Sequence, residues 1–330
     1  MTTTPADPVS QKRAGYHSVP VFDGRASRRH TDMPLWRLRA MSYVPVRGVD
    51  PARAQTFAQF VGFPRSGHSL IGALIDAHPR AIVAHELDAM GLFRGGLSYA
   101  QIARLIARNA RAFADNGKWW NGYSYAVDGV SSSDQSPQVI GDKKGDWAAR
   151  WSAATPGLLD RVLKSSAPHP RWLLVTRAPE DNIATMTLRR GGAYDRIRIK
   201  AASDGVSAGP AVDAAQADGT LPTGASDAMI ADYRSLCDAI ADMKTRIPPE
   251  NWLEIGYEAF TQDPVAGLRR IADFLKLNAE DDWLNAASAL VHAGRSRSRD
   301  RLSWTDAQIQ DVDELTTQFD FLKRYERVGA

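Results

Sequence analysis

Cysteine is almost absent from this sequence, since Cys237 is the only one among 330 residues. An internal disulfide therefore cannot form, and a zinc site built from cysteines is excluded. Long hydrophobic runs are also missing, because no stretch approaches the roughly 20 apolar residues that span a membrane as a helix. We therefore expect a cytoplasmic protein without a membrane span.

The chain also lacks a strong excess of either charge. Its 41 Lys and Arg residues nearly balance 38 Asp and Glu residues, which gives a net charge of +3. This excess is too small to predict a nucleic-acid partner. A hydrophobic content of 44% and a charged content of 24% are typical of globular proteins, and the chain is long enough to bury a large core.

One segment in the first quarter of the chain is informative about chemistry. Residues 60–79 read FVGFPRSGHSLIGALIDAHP, which predicts an apolar strand, a tight loop and then a helix. Such a loop presents backbone N–H groups and the positive end of a helix dipole to an anion. Its spacing nearly matches the phosphate-binding pattern G-x-x-x-x-G-K-[ST], with Gly62, Gly67 and Ser69 in place.

The departure from that pattern is His68, which stands where nucleotide-hydrolysing families have a lysine. The nearest fixed cation is Arg65, three residues earlier. We therefore expect the loop to bind a phosphate-like group without splitting ATP. A plain surface turn between a strand and a helix is the alternative.

The loop resembles the signature of the sulfotransferases that use 3′-phosphoadenosine 5′-phosphosulfate (PAPS). Their signature reads Pro-(Arg/Lys)-Ser-Gly-Thr-(Thr/Ser), and residues 64–69 follow it with His in place of Thr. Residues 74–79 look like the bacterial and tyrosylprotein branches of that family, and a bacterial chain is the simplest interpretation. The resemblance covers roughly residues 56–310 and implies that the 5′ end of PAPS is bound by Arg65, Ser66, Gly67, His68 and Ser69.

A second segment resembles the family's 3′-phosphate motif, in which Arg is followed by Pro-x-Asp and, eight residues after the Arg, by Ser. Arg177, Pro179 and Asp181 match, and Thr185 replaces Ser while keeping a hydroxyl. An arginine at the end of a strand and a hydroxyl two turns into the next helix can converge on one phosphate. The alternative is an arginine that binds local carbonyls beside an exposed threonine.

Two neighbouring residues compete for the role of general base. Alignment from Arg65 without gaps places Glu86 on the base of the tyrosylprotein branch, whereas the cytosolic branch uses a histidine, for which His85 is the candidate. Neighbours on a strand point to opposite faces, so only one of them should face the donor. We favour Glu86, because a carboxylate beside an anionic donor has a raised pKa, which suits a base that works near neutrality. Alternatively, His85 packs in the core and Glu86 caps the next helix.

The resemblance assigns three further places. Lys143, in a Gly-Asp-Lys-Lys segment, would stabilise the charge that develops on the leaving group. Tyr257 would lie near the adenine, although a core tyrosine fits as well. Arg295 and Arg297 belong to a late basic loop that would close over the 3′-phosphate, and the alternative is a solvated loop.

Strands that alternate with helices predict an α/β fold: a P-loop-type parallel β-sheet flanked by helices, sulfotransferase-like and three-layered. Residues 1–55 are polar, basic and scattered with prolines, which predicts an irregular N-terminal arm. Residues 56–330 would form a single sulfotransferase-like domain. A flexible insertion is expected near residues 201–226, where small, acidic and turn-forming residues prevail, and a lid over the acceptor is the alternative.

Taken with the resemblance, these residues imply a sulfotransferase that moves the sulfuryl group from PAPS to an acceptor hydroxyl by in-line, metal-independent attack, leaving adenosine 3′,5′-bisphosphate (PAP). Arg65 and Lys143 would stabilise the transferring group. A P-loop nucleotide kinase and a non-catalytic nucleotide-binding protein are the alternatives. The acceptor could be a carbohydrate, a lipid, a phenolic metabolite or a peptide; no nucleic-acid partner is expected, and the sequence predicts no oligomeric state.

Overall fold

The structure, a computed structural model, describes residues 9–130, 137–165, 168–292 and 297–326. In chain order its strands are β1 (Tyr16–Val21), β2 (Arg29–Pro34), β3 (Thr56–Gly62), β4 (Ala81–Ala84), β5 (Trp119–Trp120), β6 (Tyr123–Ser124), β7 (Val139–Asp142), β8 (His169–Thr176) and β9 (Trp252–Gly256). The helices are α1 (Leu35–Tyr43), α2 (His68–Asp76), α3 (Ala89–Arg94), α4 (Tyr99–Asp115), α5 (Gly145–Ala154), α6 (Leu158–Lys164), α7 (Pro179–Arg189), α8 (Ala193–Ser203), α9 (Gly209–Ala217), α10 (Asp227–Arg246), α11 (Tyr257–Gln262), α12 (Pro264–Leu275), α13 (Asp281–Ala289) and α14 (Asp306–Gln318).

Five strands form one parallel sheet in the order β4-β7-β3-β8-β9. Every residue of the central strand β3 is buried, because parallel strands are covered on both faces. Phe57 and Trp172 pack in the layer that contains α5 and α10. Phe60 and Leu173 pack in the opposite layer, with α2 and α12. The predicted α/β fold, a parallel sheet between two helical layers, is therefore confirmed.

The prediction of an irregular arm over residues 1–55 is wrong for its described part. Strands β1 and β2 pair antiparallel from Tyr16 opposite Pro34 onward, and α1 follows directly. Pro20 is tolerated because both strands of a two-stranded hairpin are edge strands, where a missing N–H is harmless. Val19 and Leu38 join the main hydrophobic core, so this segment is an integral part of the domain.

The expectation of a disordered insertion near residues 201–226 is also wrong. Helix α8 extends to Ser203 and α9 follows it, in keeping with the high helix propensity of alanine. Val212 and Leu221 are buried in a small cluster with Tyr194 and Leu302. The segment therefore buries enough apolar surface to form regular structure.

The carboxyl ends of β3, β7, β8 and β9 lie at one edge of the sheet, since all four strands run in the same direction. In open α/β sheets, ligands bind at this edge. Within the part of the chain that the structure describes, no helix is long and apolar enough to cross a membrane. The same part contains no group of three or more His, Cys, Asp or Glu residues that could hold a metal ion.

Candidate functional site

The loop between β3 and α2 depends on left-handed backbone conformations. Gly62, Arg65 and Gly67 have φ angles of 138°, 72° and 106°. A Cβ atom on Gly67 would lie 2.2 Å from the Tyr257 ring, and one on Gly62 would lie 2.6 Å from the carbonyl oxygen of Val175. Larger residues are therefore excluded at both glycines. The tight turn leads directly into the N-terminus of α2, the arrangement that binds anions through backbone N–H groups.

The side chain of His68 turns inward, beneath this loop. Its Nε2 atom lies 3.1 Å from the carbonyl oxygen of Val61 and 3.4 Å from Ser66 Oγ. Its ring packs edge-on against Phe60, at 5.7 Å between ring centroids. Burial, reinforced by the positive charge of Lys143, lowers the pKa of His68 to about 4. The ring is therefore neutral near pH 7, and any contribution of this residue to anion binding comes from its backbone N–H.

The buried neutral ring of His68 should make stability depend on pH. Because its pKa of about 4 is below the ordinary value of 6.5, the unfolded chain binds the proton more readily, and stability falls as the pH drops from 6.5 towards 4. Between pH 7 and pH 5 the free energy of unfolding should fall by about 2 kcal/mol from this group. Urea unfolding at both pH values measures the total fall, to which His30 and His85 also contribute because burial lowers the pKa of each ring. His68→Gln should reduce that fall by about 2 kcal/mol.

A matched control for this experiment is His169→Gln, because His169 is exposed on β8. This variant should keep the pH dependence of the unaltered chain. If His68→Gln also keeps it, the assignment of the acid sensitivity to His68 is wrong.

Arg177, at the end of β8, points towards the loop. Its Nη1 atom donates hydrogen bonds to the carbonyl oxygen of Arg65 at 3.3 Å and to Thr185 Oγ1 at 3.2 Å. The Thr185 hydroxyl in turn donates to the carbonyl oxygen of Asp181 at 2.8 Å. The two motifs that the sequence singled out therefore lie side by side at the carboxyl edge of the sheet.

A late turn packs against the second motif. Ser298 Oγ lies 3.0 Å from Thr185 Oγ1, and the backbone N–H of Arg299 donates to Asp181 Oδ1 at 3.0 Å. These contacts join the turn to the first two turns of α7. Ser298 and Arg299, from the described part of the basic loop, are therefore held close to the place where Thr185 and Arg177 meet.

Three residues assigned only by resemblance differ in their placement. The Tyr257 ring lies against Gly67, which puts it beside the predicted phosphate loop. Arg297 is exposed next to Ser298. Arg295 lies outside the described residues. The roles of Tyr257 at an adenine and of Arg297 at a phosphate stay predictions.

Glu86 lies at the centre of a cluster of basic side chains. Lys143 Nζ donates to Glu86 Oε1 at 2.5 Å and to Ser69 Oγ at 2.6 Å. Lys144 Nζ pairs with the other carboxylate oxygen, Oε2, and His30 Nε2 lies 3.7 Å from the same oxygen. Lys143 thus connects the phosphate loop directly to the candidate base.

The pKa of Glu86 departs from the expected direction. Burial would raise the pKa of this carboxyl, but Lys143 and Lys144 outweigh burial and hold the pKa well below its usual range. The prediction of a raised pKa concerns a carboxylate beside an anionic donor, whereas the two lysines alone shift the pKa of Glu86 in the opposite direction. Glu86 is ionised, which is the state that accepts a proton, although the two lysines reduce its proton affinity.

His85 points into a cluster of aromatic rings. It stacks on Phe113 at 4.0 Å and meets Trp120 edge-on at 5.0 Å between ring centroids. Its backbone N–H donates to Asn109 Oδ1 at 2.6 Å, and burial lowers the pKa of its ring well below the usual value. This packing favours Glu86 over His85 as the residue that faces the phosphate loop.

Sequence reasoning missed the role of Asp142 in supporting Glu86. The buried carboxylate of Asp142 accepts hydrogen bonds from the backbone N–H groups of Leu87, at 3.2 Å, and Ala89, at 2.8 Å. Glu86 and Asp88 have φ angles of 61° and 65°, which non-glycine residues rarely adopt. Burial raises the pKa of Asp142 to about 7. The signal in the sequence was an aspartate directly at the end of a predicted strand.

No family model matches the sequence, and no curated protein matches it. Solved structures do match. The sulfotransferase domain of a Synechococcus olefin synthase is 12% identical over 81% of this chain and 95% of that chain, with a TM-score of 0.42. A sulfotransferase from Alicyclobacillus acidocaldarius is 14% identical over 84% and 97%, with a TM-score of 0.39. A mouse sulfotransferase complexed with PAP is 14% identical over 88% and 93%, with a TM-score of 0.36. Each of these three solved structures is a sulfotransferase or a sulfotransferase domain.

Proposed function

We propose that this chain transfers the sulfuryl group of PAPS to an acceptor hydroxyl. The observation that supports the proposal best is the meeting of two anion-binding groups at one edge of the sheet. The first is the phosphate loop itself, and the second is the pair formed by Arg177 and Thr185. Arg177 contacts both Thr185 and the backbone of Arg65, so the pair lies beside the loop. A nucleotide with an anionic group at each of two positions matches such a pair.

The proposal assigns a catalytic role to two positive side chains, those of Arg65 and Lys143. By analogy with phosphoryl transfer, most of the charge in the transition state lies on the equatorial oxygens, and catalysis depends on positioning and electrostatic stabilisation. In the proposed mechanism, Arg65, an exposed residue of the loop, stabilises the transferring group. Lys143, beside Ser69, stabilises the oxygen that leaves with the 5′-phosphate.

Glu86 takes the proton of the acceptor. A bond forms between the acceptor oxygen and sulfur while the bond from sulfur to the 5′-phosphate oxygen breaks, and the acceptor proton passes to the Glu86 carboxylate. The bisphosphate leaves as an anion and needs no proton. Negative charge on a bound donor would offset the effect of Lys143 and Lys144, and would therefore raise the proton affinity of Glu86.

A nucleotide kinase would need other groups at these positions. The residue in place of the kinase lysine is His68, whose neutral ring lies under the loop. A magnesium-binding carboxylate would be expected after a strand beside the loop, but the carboxylate of Asp142 accepts two backbone N–H groups instead. These positions therefore do not favour a kinase, and ligand binding and turnover distinguish the sulfotransferase from a kinase and from a non-catalytic binding protein.

Thermal unfolding with ligands separates these functions. PAP at 100 times its Kd should stabilise the chain by about 2.7 kcal/mol and raise Tm, whereas ATP with magnesium should raise Tm much less. The reverse order would favour the kinase.

Turnover of radiolabelled PAPS in a cell extract, followed by identification of the labelled product, then tests catalysis and the acceptor class. A labelled carbohydrate, lipid, phenol or peptide would support the proposal. Binding of PAP without any labelled product would favour the non-catalytic protein.

A further inference from the structure

The hairpin β1-β2, which none of the sulfotransferase motifs includes, packs against the turn that carries Glu86. His17 Nε2 donates to the carbonyl oxygen of Leu87 at 2.7 Å. Phe22, between the two strands, packs against Phe113 at 5.1 Å between ring centroids. The hairpin is thus held in place next to the turn that carries Glu86.

His30, on strand β2 of the hairpin, lies close to the Glu86 carboxylate. Its Nε2 atom is buried, lies 3.7 Å from Glu86 Oε2 and has no hydrogen-bond partner among the described residues. A distance of 3.7 Å is too long for a hydrogen bond between the two atoms, and Nε2 is shielded from solvent. An oxygen that lies about 2.8 Å from both atoms therefore enters only when the His30 ring turns. Buried polar atoms are nearly always hydrogen-bonded, so Nε2 would gain a hydrogen bond from such an oxygen.

The two oxygens of the Glu86 carboxylate have different neighbours. Oε1 accepts from Lys143, which also contacts Ser69 of the phosphate loop. Oε2 pairs with Lys144 and has His30 nearby, whose ring is edge-on to Trp120 at 5.6 Å between centroids. The carboxylate therefore connects the phosphate loop with His30, and an acceptor hydroxyl at Oε2 would be close to a donor bound at the loop.

The ring of His30 is neutral near pH 7. Burial and the nearby Lys144 lower its pKa to about 4, with Glu86 acting in the opposite direction. The carboxylate favours the tautomer that has the proton on Nε2, since that N–H then faces the negative charge. His30 is therefore suited to donate a hydrogen bond.

We propose that His30 is a further catalytic residue, which holds the acceptor hydroxyl together with Glu86. The inference rests on the proposed sulfuryl transfer. His30 Nε2–H donates to a lone pair of the acceptor oxygen, and the O–H of the acceptor points at Glu86 Oε2. As the bond from oxygen to sulfur forms and the bond from sulfur to the 5′-phosphate breaks, the proton passes to Glu86. The N-terminal hairpin is then part of the acceptor site.

Hydrolysis of PAPS, in which water replaces the acceptor hydroxyl, tests this role whatever the natural acceptor is. His30→Ala should lower kcat about 5-fold to 30-fold, which corresponds to a loss of about 1–2 kcal/mol of transition-state stabilisation. The Kd for PAP should stay within about twofold of that of the unaltered chain. His30→Gln keeps an N–H donor and should recover part of the loss, and His169→Ala is the matched control with normal kcat.

Two further measurements distinguish catalysis from structural damage. The double variant His30→Ala with Glu86→Gln should lose no more turnover than Glu86→Gln alone, since both residues act on one hydroxyl. In NMR spectra, the ring resonances of His30, identified by their absence in His30→Gln, should shift in Glu86→Gln while those of His169 stay in place.

Normal kcat in His30→Ala, or additive losses in the double variant, would overturn the role of His30 and leave the sulfotransferase proposal standing. Another result would overturn both the role of His30 and the proposed function. If the unaltered chain binds PAP but turns over no PAPS, with water or with cell extract, the proposed function itself is wrong and the role of His30 falls with it.

Discussion

Replacing Arg177 by alanine should weaken the binding of PAP about 100-fold. Arg177 is only 7% exposed, and its contacts with Thr185 Oγ1 and the backbone of Arg65 orient it before any ligand arrives. A hydrogen bond to a charged group contributes about 1.5–3 kcal/mol, and a 100-fold change in Kd corresponds to about 2.8 kcal/mol. Isothermal titration calorimetry with PAP measures the change in Kd.

Three variants make this result specific. Arg171→Ala removes an arginine from β8, the strand that Arg177 follows. The Arg171 guanidinium lies over the Phe274 ring, and this variant should leave Kd unchanged. Arg177→Lys keeps the charge without the planar fork and should lose part of the affinity. Thr185→Val removes only the hydroxyl, and about a 10-fold loss is expected. An unaltered Kd in Arg177→Ala would remove this residue from the site, whereas an equal loss in Arg171→Ala would indicate a general effect of charge.

The sheet and the meeting of the two motifs could be predicted because they depend on local patterns and one topological rule. Leu173 and Val175 belong to a continuous apolar run, and such runs predict parallel strands covered on both faces. The loop follows β3, and Arg177 follows β8. Since neighbouring parallel strands end at the same edge, both motifs had to lie there.

The N-terminal hairpin could not be predicted because distant residues stabilise it. Its strands contain polar residues and prolines, and its position depends on the contact of His17 with Leu87, 70 residues later in the chain. Helix α9 is a similar case. Its alanines fit a helix or a loose linker equally well, and only burial of Val212 beside Leu302 decides between them.

The lowering of the Glu86 pKa by two lysines depends on the register of the sheet. Ala84, at the end of β4, lies opposite Asp142, at the end of β7. Glu86 and the pair Lys143 and Lys144 follow these partners by one or two residues, so both lysines reach one carboxylate. Sequence motifs do not contain the register between strands that are distant in the chain, and the second lysine was therefore overlooked.

Glu86→Gln should abolish most of the transfer and keep the binding of PAP. Loss of a general base lowers turnover by about 10²-fold to 10⁴-fold. Lys143 and Lys144 lose their anionic partner at the same time, so an anionic nucleotide should bind at least as tightly as before, and more so at low salt. Turnover of radiolabelled PAPS and calorimetry with PAP at two salt concentrations measure both effects.

The same substitution should destabilise the ligand-free chain, since Lys143 is only 2% exposed. Breaking a buried ion pair by removing one partner costs about 3–5 kcal/mol. Burial already lowers the pKa of Lys143, and Glu86 opposes that effect. Without Glu86 the lysine loses its proton more readily, so part of this loss is avoided at high pH. Urea unfolding with and without PAP should show that the nucleotide restores much of the stability.

Asp232→Asn is the matched control, because Asp232 of α10 pairs with Arg150 of α5 at 2.8 Å and neither residue belongs to the proposed site. It should lower stability without changing turnover per folded molecule or the Kd for PAP. Normal turnover in Glu86→Gln would show that another group takes the proton. His85→Ala, measured in parallel, then decides between the two neighbours. Selective loss of turnover in that variant, with PAP binding and fold intact, would make His85 the base, even though its ring stacks on Phe113.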